Sequence, residues 1–136
     1  MIVNNLTRFK QRFESLRKAY NLLTLAVKQV EYSDLEKAGV SQTFIFNFEL
    51  IWKCMKDYLE YKGYENKAPR DVLKNAFLEG LIDSDIWFEI LDNRNMLSHT
   101  HVSEDMEKIV TIIKDKYFIL FSRLYDKLKD VYEMGD

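Results

Sequence analysis

The polar run at positions 92–101 holds the residues of this sequence that are best suited to chemistry. It brings together a permanent cation, two small hydrogen-bonding groups and both histidines of the chain: Arg94, Asn95, Ser98, His99 and His101. An imidazole exchanges protons near neutral pH, and a guanidinium can hold a phosphate through two parallel hydrogen bonds. The run therefore predicts a site that binds or cleaves phosphate esters.

Arg94 is placed where an aliphatic residue would be expected. Trp87, Arg94 and Leu97 are spaced so that they fall on one side of a helix, and that side is otherwise apolar. Because an unpaired guanidinium is costly to bury, Arg94 should meet a carboxylate, a partner subunit or a phosphate ligand. The structural alternative is an ion pair with Glu49, or with Asp92 of a neighbouring chain.

Arg94 and His99 would not converge along one continuous helix. At ~100° per residue their directions differ by about 140°, whereas Asn95 and His99 share a face. The two groups can meet if the helix ends near Leu97 or Ser98. They can also meet if two subunits pack this segment across a twofold axis. Either arrangement makes a composite cleft.

Composition indicates one globular helical domain. The 136 residues are 47% hydrophobic and 31% charged, with four Gly and one Pro, too few breakers for a turn-rich β protein. The formal net charge of −2 argues against a general coat for nucleic acid, so any RNA contact must be local. We expect one domain over residues 1–136.

The chain carries no signal that predicts export or a membrane span. Its N-terminal residues lack a basic region followed by an apolar segment, and no stretch approaches ~20 apolar residues. Cys54 is the single cysteine and lies in an apolar helical segment, which favours a buried structural thiol. We expect a cytoplasmic protein without contact to a membrane.

Apolar residues in the first half of the chain recur at steps of three and four, which predicts two amphipathic helices. The first stripe comprises Leu6, Phe9, Phe13, Leu16, Tyr20, Leu23, Val27 and Val30. We expect this helix to end between Ser33 and Gly39, with Gly39 as the break and Ser41 as the next N-cap. The second helix closes at Gly63 and has two apolar faces.

The second half of the chain predicts a short helix and two more main helices. Pro69 lies in the first turn of the short helix, and Gly80 ends it. Residues 83–85 can cap a fourth helix, and residues 103–105 open a long final one. Short links between long helices favour antiparallel neighbours. The prediction is an all-α, up-and-down four-helix bundle with an additional short helix.

Aromatic residues are abundant. Nine Phe, eight Tyr and two Trp exceed the evident needs of one small bundle. A homodimer interface would absorb the surplus, and wide core faces would do the same.

The motifs of this chain resemble those of a known family. Arg94 and His99 look like the signature of HEPN domains, in which an arginine precedes a histidine by a few residues. The segment Phe48-Glu49-Leu50-x-Trp52-Lys53-x-x-Lys56-Asp57-Tyr58-Leu59-x-x-x-Gly63 is similar to the nucleotidyltransferase substrate-binding branch of that superfamily. Pro69-Arg70-Asp71 and Gly80-Leu81-Ile82-Asp83 extend the similarity, which spans roughly residues 5 to 130.

The resemblance implies a homodimer that binds a separately encoded small nucleotidyltransferase, often as toxin and antitoxin. It also implies an alternative, a metal-independent ribonuclease site at the dimer cleft. There His99 would transfer protons, Arg94 would stabilise charge on the phosphate and Asn95 would orient one of them. Arg94, Ser98, His99 and His101 would contact RNA or a nucleotide. His101 stands where related toxins have a tyrosine that receives adenylate.

Three further interpretations compete with these. His99 and His101 could bind a metal with Glu104 or Asp105, but a third certain ligand is missing, so we predict no metal and no other cofactor. Residues 83–85 resemble the paired aspartates of nucleotidyltransferases, but they precede a helix and fit an N-cap better. Lastly, Arg94 and His99 could merely stabilise a dimeric scaffold.

Overall fold

A computed structural model of the protein describes residues 5–97 and 106–134, and within these two ranges every regular element is helical. The elements are α1 (Asn5–Val27), α2 (Asp34–Tyr61), α3 (Pro69–Glu79), α4 (Ile86–Leu97), α5 (Met106–Ile112), a π-helical turn (Ile113–Tyr117) and α6 (Phe118–Met134). The last three follow one another directly, so they act as one long helix. The all-α prediction is confirmed.

The pairing of side chains shows that α1 and α2 run antiparallel. The side-chain amide of Asn47 donates to the carbonyl of Ala19 at 2.9 Å. Arg12, earlier on α1, meets Asp57, later on α2, at 3.3 Å between Nε and Oδ2. Moving forward along α1 therefore corresponds to moving backward along α2.

The same comparison orients the final helix. The ring centroids of Phe13 and Tyr125 lie 5.3 Å apart, and those of Tyr20 and Phe118 lie 5.8 Å apart. The earlier residue on α1, Phe13, thus contacts the later residue on α6, Tyr125. These two helices are antiparallel neighbours, and the stacked rings fill the space between them.

Contacts of α4 complete the topology. Trp87, near its start, lies 5.5 Å from Phe121, measured between ring centroids. Asn93, near its end, is hydrogen-bonded to Tyr117, one turn earlier on the final helix. Since α4 runs against the final helix, the four main helices alternate in direction, and α3 connects α2 to α4. The predicted up-and-down bundle with one additional short helix is confirmed.

The predicted boundary between the first two helices was wrong. α1 ends at Val27, and Ser33 rather than Ser41 is the N-cap of α2. The Ser33 hydroxyl accepts from the backbone N–H of Glu36, whose carboxylate accepts from the N–H of Ser33. This capping box gives hydrogen-bond acceptors to two backbone N–H groups at the start of α2 that have no acceptor within the helix. Gly39 lies inside α2, where its cost of about 1 kcal/mol is outweighed by packing of a 28-residue helix.

The other predicted breaks are confirmed where the structure describes them. Pro69 is the first residue of α3, and Gly80 follows its end with φ +81°. Gly63 has φ +99° just after α2. Both glycines occupy the left-handed region that other residues avoid. The predicted helix start at 103–105 lies outside the described residues.

One apolar core takes up nearly all the aromatic side chains. Among the nineteen, only Phe46 and Tyr61 are more than half exposed. Wide core faces therefore account for the aromatic content, so this content supplies no separate argument for a dimer.

Cys54 is fully buried, and burial raises its pKa, which confirms the structural thiol. None of the helices within the described ranges has the length and apolar content needed to cross a membrane.

Candidate functional site

Three consecutive residues near the end of α4 bind three different elements of the bundle. Asp92 meets Arg70 of α3, Asn93 meets Tyr117 of the π-helical turn, and Arg94 meets Glu49 of α2. On a helix, neighbouring residues point about 100° apart, so one turn can address three neighbours at once. The polar run is therefore built into the junction of the helices.

Arg94 points from the apolar side of α4 toward α2. Its Nη2 forms an ion pair with Oε1 of Glu49, and its Nη1 donates to Oδ1 of Asn95 at 2.7 Å. The side chains of Arg94 and Glu49 are 24% and 26% exposed, so the pair lies at the edge of the core. Of the partners considered from the sequence, Glu49 is the one the structure pairs with Arg94.

Glu49 connects Arg94 to an indole. Its second carboxylate oxygen, Oε2, accepts a hydrogen bond from Nε1 of Trp52 at 3.2 Å. The ammonium of Lys53 lies over the Trp52 ring, 5.8 Å from the ring centroid. A cation near the electron-rich face of an indole is favourable. One carboxylate thus joins a guanidinium and an aromatic ring that lies under a second cation.

A second hydrogen-bonded network fixes the other side of α4. The hydroxyl of Tyr117 donates to Oε2 of Glu89 at 2.6 Å and accepts from the amide of Asn93. Lys116 donates to the other oxygen of Glu89 at 3.0 Å. Burial, followed by the nearby Glu89 carboxylate, raises the pKa of Tyr117. The hydrogen bond from Tyr117, followed by that from Lys116, lowers the pKa of Glu89.

Asp92 is engaged within its own chain. Its carboxylate lies 3.2 Å from Nη2 of Arg70, and the guanidinium of Arg70 lies 5.4 Å from the ring centroid of Phe88. Phe88 in turn stacks on Phe77 of α3 at 5.9 Å between centroids. Asp92 therefore has a partner within its own chain, and its pairing with Arg94 of a neighbouring chain stays an alternative.

Part of the predicted site lies outside the described residues. Ser98, His99 and His101, which were predicted to contact RNA or a nucleotide, follow directly on α4 but fall between its described end at Leu97 and Met106. Glu104 and Asp105, the other candidates for a metal site, lie in the same gap. The structure brings together Arg94 and Asn95, two of the three predicted catalytic residues.

The described half of the site contains a charged donor whose chemistry suits an anion. Arg94 is a charged planar donor at the edge of the core, and its carboxylate partner in the described structure is Glu49. Residues 83–85 have a different role, since the hydroxyl of Ser84 accepts from the backbone N–H of Ile86 at 3.2 Å. This hydrogen bond at the start of α4 agrees with the predicted cap.

Sequence reasoning missed the roles of Glu89 and Tyr117, and it did not connect Trp52 to Glu49. Glu89 and Asn93 are four residues apart, a spacing that places both on one side of α4. Glu49 and Trp52 are three apart on α2 and could have been paired in the same way. The link to Tyr117 spans 28 positions and carries no local signal.

Comparison with known proteins identifies the family. The model of the family described as nucleotidyltransferase substrate binding protein like matches residues 11–130. This match covers most of the chain, from the first half of α1 into α6, so the chain belongs to that family. The assignment is consistent with the resemblance to HEPN domains. A comparison with curated proteins found no matching relative.

Proposed function

We propose that this chain is the substrate-binding partner of a separately encoded small nucleotidyltransferase, and that the two act as a toxin–antitoxin-like pair in the cytoplasm. The observation that carries the proposal is the family match over residues 11–130. The family description names a substrate-binding role beside a nucleotidyltransferase. A helical bundle with charged and polar side chains at a helix junction suits such a role.

Arg94 is the group on which substrate binding depends in this proposal. It is a permanent cation, and the chain as a whole is slightly acidic, so a phosphate-bearing substrate needs a local point of attraction. Asn95 holds one side of the guanidinium through its side-chain oxygen. The bound molecule is then a nucleotide or an RNA segment, and Ser98, His99 and His101 complete the contacts. Two copies of the chain form the homodimer.

Co-purification tests the partnership. The partner to use is the product of a neighbouring gene that encodes a small protein with a Gly-Ser turn and paired aspartates. The tagged chain is co-expressed with this untagged protein, and an unrelated tagged helical bundle serves as the control. We expect the transferase to be retained with this chain alone. Equal recovery with both tagged proteins, or with neither, contradicts the proposal.

A second candidate function is metal-independent cleavage of RNA. The observation that favours it is the hydrogen bond between Arg94 and Asn95 at 2.7 Å, next to the stretch that contains His99. In this function His99 takes the proton of the RNA 2′-hydroxyl as that oxygen bonds to the adjacent phosphorus, and Arg94 stabilises the charge that develops on the phosphate. The bond from phosphorus to the 5′-oxygen breaks, and this oxygen takes a proton from solvent. Both groups act without a metal ion.

Incubation with mixed RNA in EDTA tests whether the chain cleaves RNA without a metal ion. The wild type is compared with Arg94→Ala and His99→Ala, whose folding is checked by circular dichroism. Arg70→Ala is the matched control, because Arg70 is also an ion-paired arginine of the bundle. Cleavage by the wild type and the control, but not by the two site variants, establishes the ribonuclease. Equal inactivity of all four proteins rules it out for the isolated chain.

A further inference from the structure

The carboxylate of Glu49 occupies the position against Arg94 that an anionic ligand would take. We propose that Glu49 is a positioning residue that holds Arg94 in place and yields to the phosphate group of a nucleotide or RNA. The inference deepens the proposed function, since it names the ligand chemistry at the same Arg94. It adds a step in which the phosphate replaces the carboxylate of Glu49 as the anion that pairs with Arg94.

The geometry allows this exchange. Glu49 reaches Arg94 through Nη2, while Asn95 holds Nη1 at 2.7 Å. The contact to Asn95 keeps the guanidinium oriented when the carboxylate leaves. Carboxylates and phosphates both accept hydrogen bonds from a guanidinium in its plane, so a phosphate can use the donor that Glu49 vacates.

The exposure of the pair makes it displaceable. Both side chains are about a quarter exposed, so water reaches parts of the two residues, while the paired oxygen Oε1 of Glu49 is itself covered. A fully buried pair resists opening because each separated charge is left without solvent, whereas a solvated pair has a small net stability. A phosphate monoester such as that of AMP carries close to two negative charges and three acceptor oxygens, which favours it over a single carboxylate. A phosphodiester of RNA carries one charge and two such oxygens, so it competes with the carboxylate less strongly.

Trp52 gives the exchange an optical signal. Its Nε1 donates to Oε2 of Glu49 at 3.2 Å, so movement of the carboxylate changes the surroundings of the indole. The other tryptophan, Trp87, is 2% exposed and stacks on Phe121 within the core. Emission changes on ligand binding should therefore come from Trp52, and Trp52→Phe should remove them.

Glu49→Gln is the informative substitution. Glutamine retains a carbonyl oxygen that can accept from the Trp52 indole, but it lacks the charge that competes for Arg94. Glu60→Gln is the matched control: Glu60 is on the same helix, has a side chain that is 25% exposed and forms an ion pair with Lys56 at 3.0 Å. The two substitutions remove the same charge from α2, and only one of them touches Arg94.

The probes are inorganic pyrophosphate, AMP and a short RNA with 2′-O-methyl groups, which cannot use its 2′-oxygen in cleavage. Affinities are measured by calorimetry and Trp emission by fluorescence. We expect wild-type binding with a change in Trp52 emission, and binding by Glu49→Gln that is about fivefold tighter. Glu60→Gln should bind like the wild type, and Arg94→Gln should lose binding. The tighter of AMP and RNA identifies the source of the phosphate.

Several results would overturn the proposal. One is a Glu49→Gln variant that binds pyrophosphate no more tightly than wild type, because a purely structural ion pair predicts equal or weaker binding. Another is wild-type binding that leaves the Trp52 signal unchanged, a test that holds even if Glu49→Gln does not fold. A third is no binding of any probe. All of these measurements are made without the nucleotidyltransferase. Their outcome is therefore independent of whether the chain forms a complex with that enzyme.

Discussion

Arg94 of α4 is ion-paired with Glu49 of α2, although its position in the helix belongs to the apolar side. The pair joins two of the main helices at the place where the family resemblance locates its functional arginine. The contact therefore has two consequences. It stabilises the packing of α4, and in the proposed function it sets the state in which Arg94 meets a ligand.

A double-mutant cycle should show that Arg94 and Glu49 are energetically coupled. The variants are Arg94→Met, Glu49→Gln and the combination of both, compared by urea unfolding. Because the pair is partly solvated, we expect a coupling free energy of about 0.5–1 kcal/mol. The control cycle uses Lys56 and Glu60, an i,i+4 pair on α2, for which ~0.3–0.5 kcal/mol is typical. Strict additivity of the Arg94 and Glu49 substitutions would contradict the structural account.

Tyr117→Phe should destabilise the bundle. The substitution removes a hydroxyl that donates to Glu89 and accepts from Asn93, leaving both partners without that contact. Unfolding in urea should show a loss of about 1–2 kcal/mol. Tyr61→Phe is the control at a site that is 54% exposed, where a change within ~0.5 kcal/mol is expected. Equal effects of the two substitutions would show that the network contributes no stability.

Asn47→Ala should be among the costlier single substitutions on α2. Asn47 is fully buried, and its amide donates to the carbonyls of Ala19 and Thr43, both at 2.9 Å. The first bond crosses to α1, so its loss weakens the contact between α1 and α2. We expect about 2–3 kcal/mol from the lost hydrogen bonds and the vacated space. Asn21→Ala, at an exposed position of α1, should change stability by less than ~0.5 kcal/mol.

Asp57 should make stability fall as the pH rises from acid toward neutral. It is 2% exposed, and burial raises its pKa despite the attraction of Arg12, with Lys56 and Arg8 also opposing the shift and Glu60 adding to it. The folded state therefore binds the proton more tightly than the unfolded state, whose Asp has a pKa of about 3.9. The stabilising contribution is complete below that value and is lost as pH rises through the folded pKa.

The measurement is the difference in unfolding free energy between wild type and Asp57→Asn, followed from pH 3.5 to pH 7. The wild type should lose stability relative to the variant across this window, by about 1.4 kcal/mol for each tenfold difference in proton affinity between the folded and unfolded states. Asp130→Asn, at an exposed position of α6, serves as the control and should give a nearly constant difference. A wild type that gains stability relative to Asp57→Asn with rising pH would mean that the ion pair with Arg12 outweighs burial.

The helices were predictable because apolar spacing reports which side of a helix is buried. Phe9, Phe13, Leu16 and Leu23 recur at helical steps, and all four are fully buried. The boundary between α1 and α2 differs from the prediction. Gly39 predicts a break, whereas local hydrogen bonds between Ser33 and Glu36 start α2 earlier. Val30, assigned to the first stripe, is 90% exposed beyond the end of α1.

The candidate site was predictable to a smaller extent. A charge on an apolar stripe needs a partner, so Arg94 was singled out and Glu49 was among the partners considered. The network of Glu89, Asn93 and Tyr117 depends on how α4 packs against a π-helical turn, and the spacing of apolar residues gives no sign of that turn. Tertiary pairing of this kind is set by the whole bundle.

The most direct test of the proposed function is to titrate the purified chain with its proposed partner, a purified small nucleotidyltransferase with a Gly-Ser turn and paired aspartates, and to measure the mass of the product by light scattering. We predict one complex of fixed stoichiometry that contains both proteins and persists with Glu60→Gln, a substitution away from Arg94. Separate elution of the two proteins at their individual masses, at concentrations well above micromolar, would contradict the assignment of this chain as a binding partner.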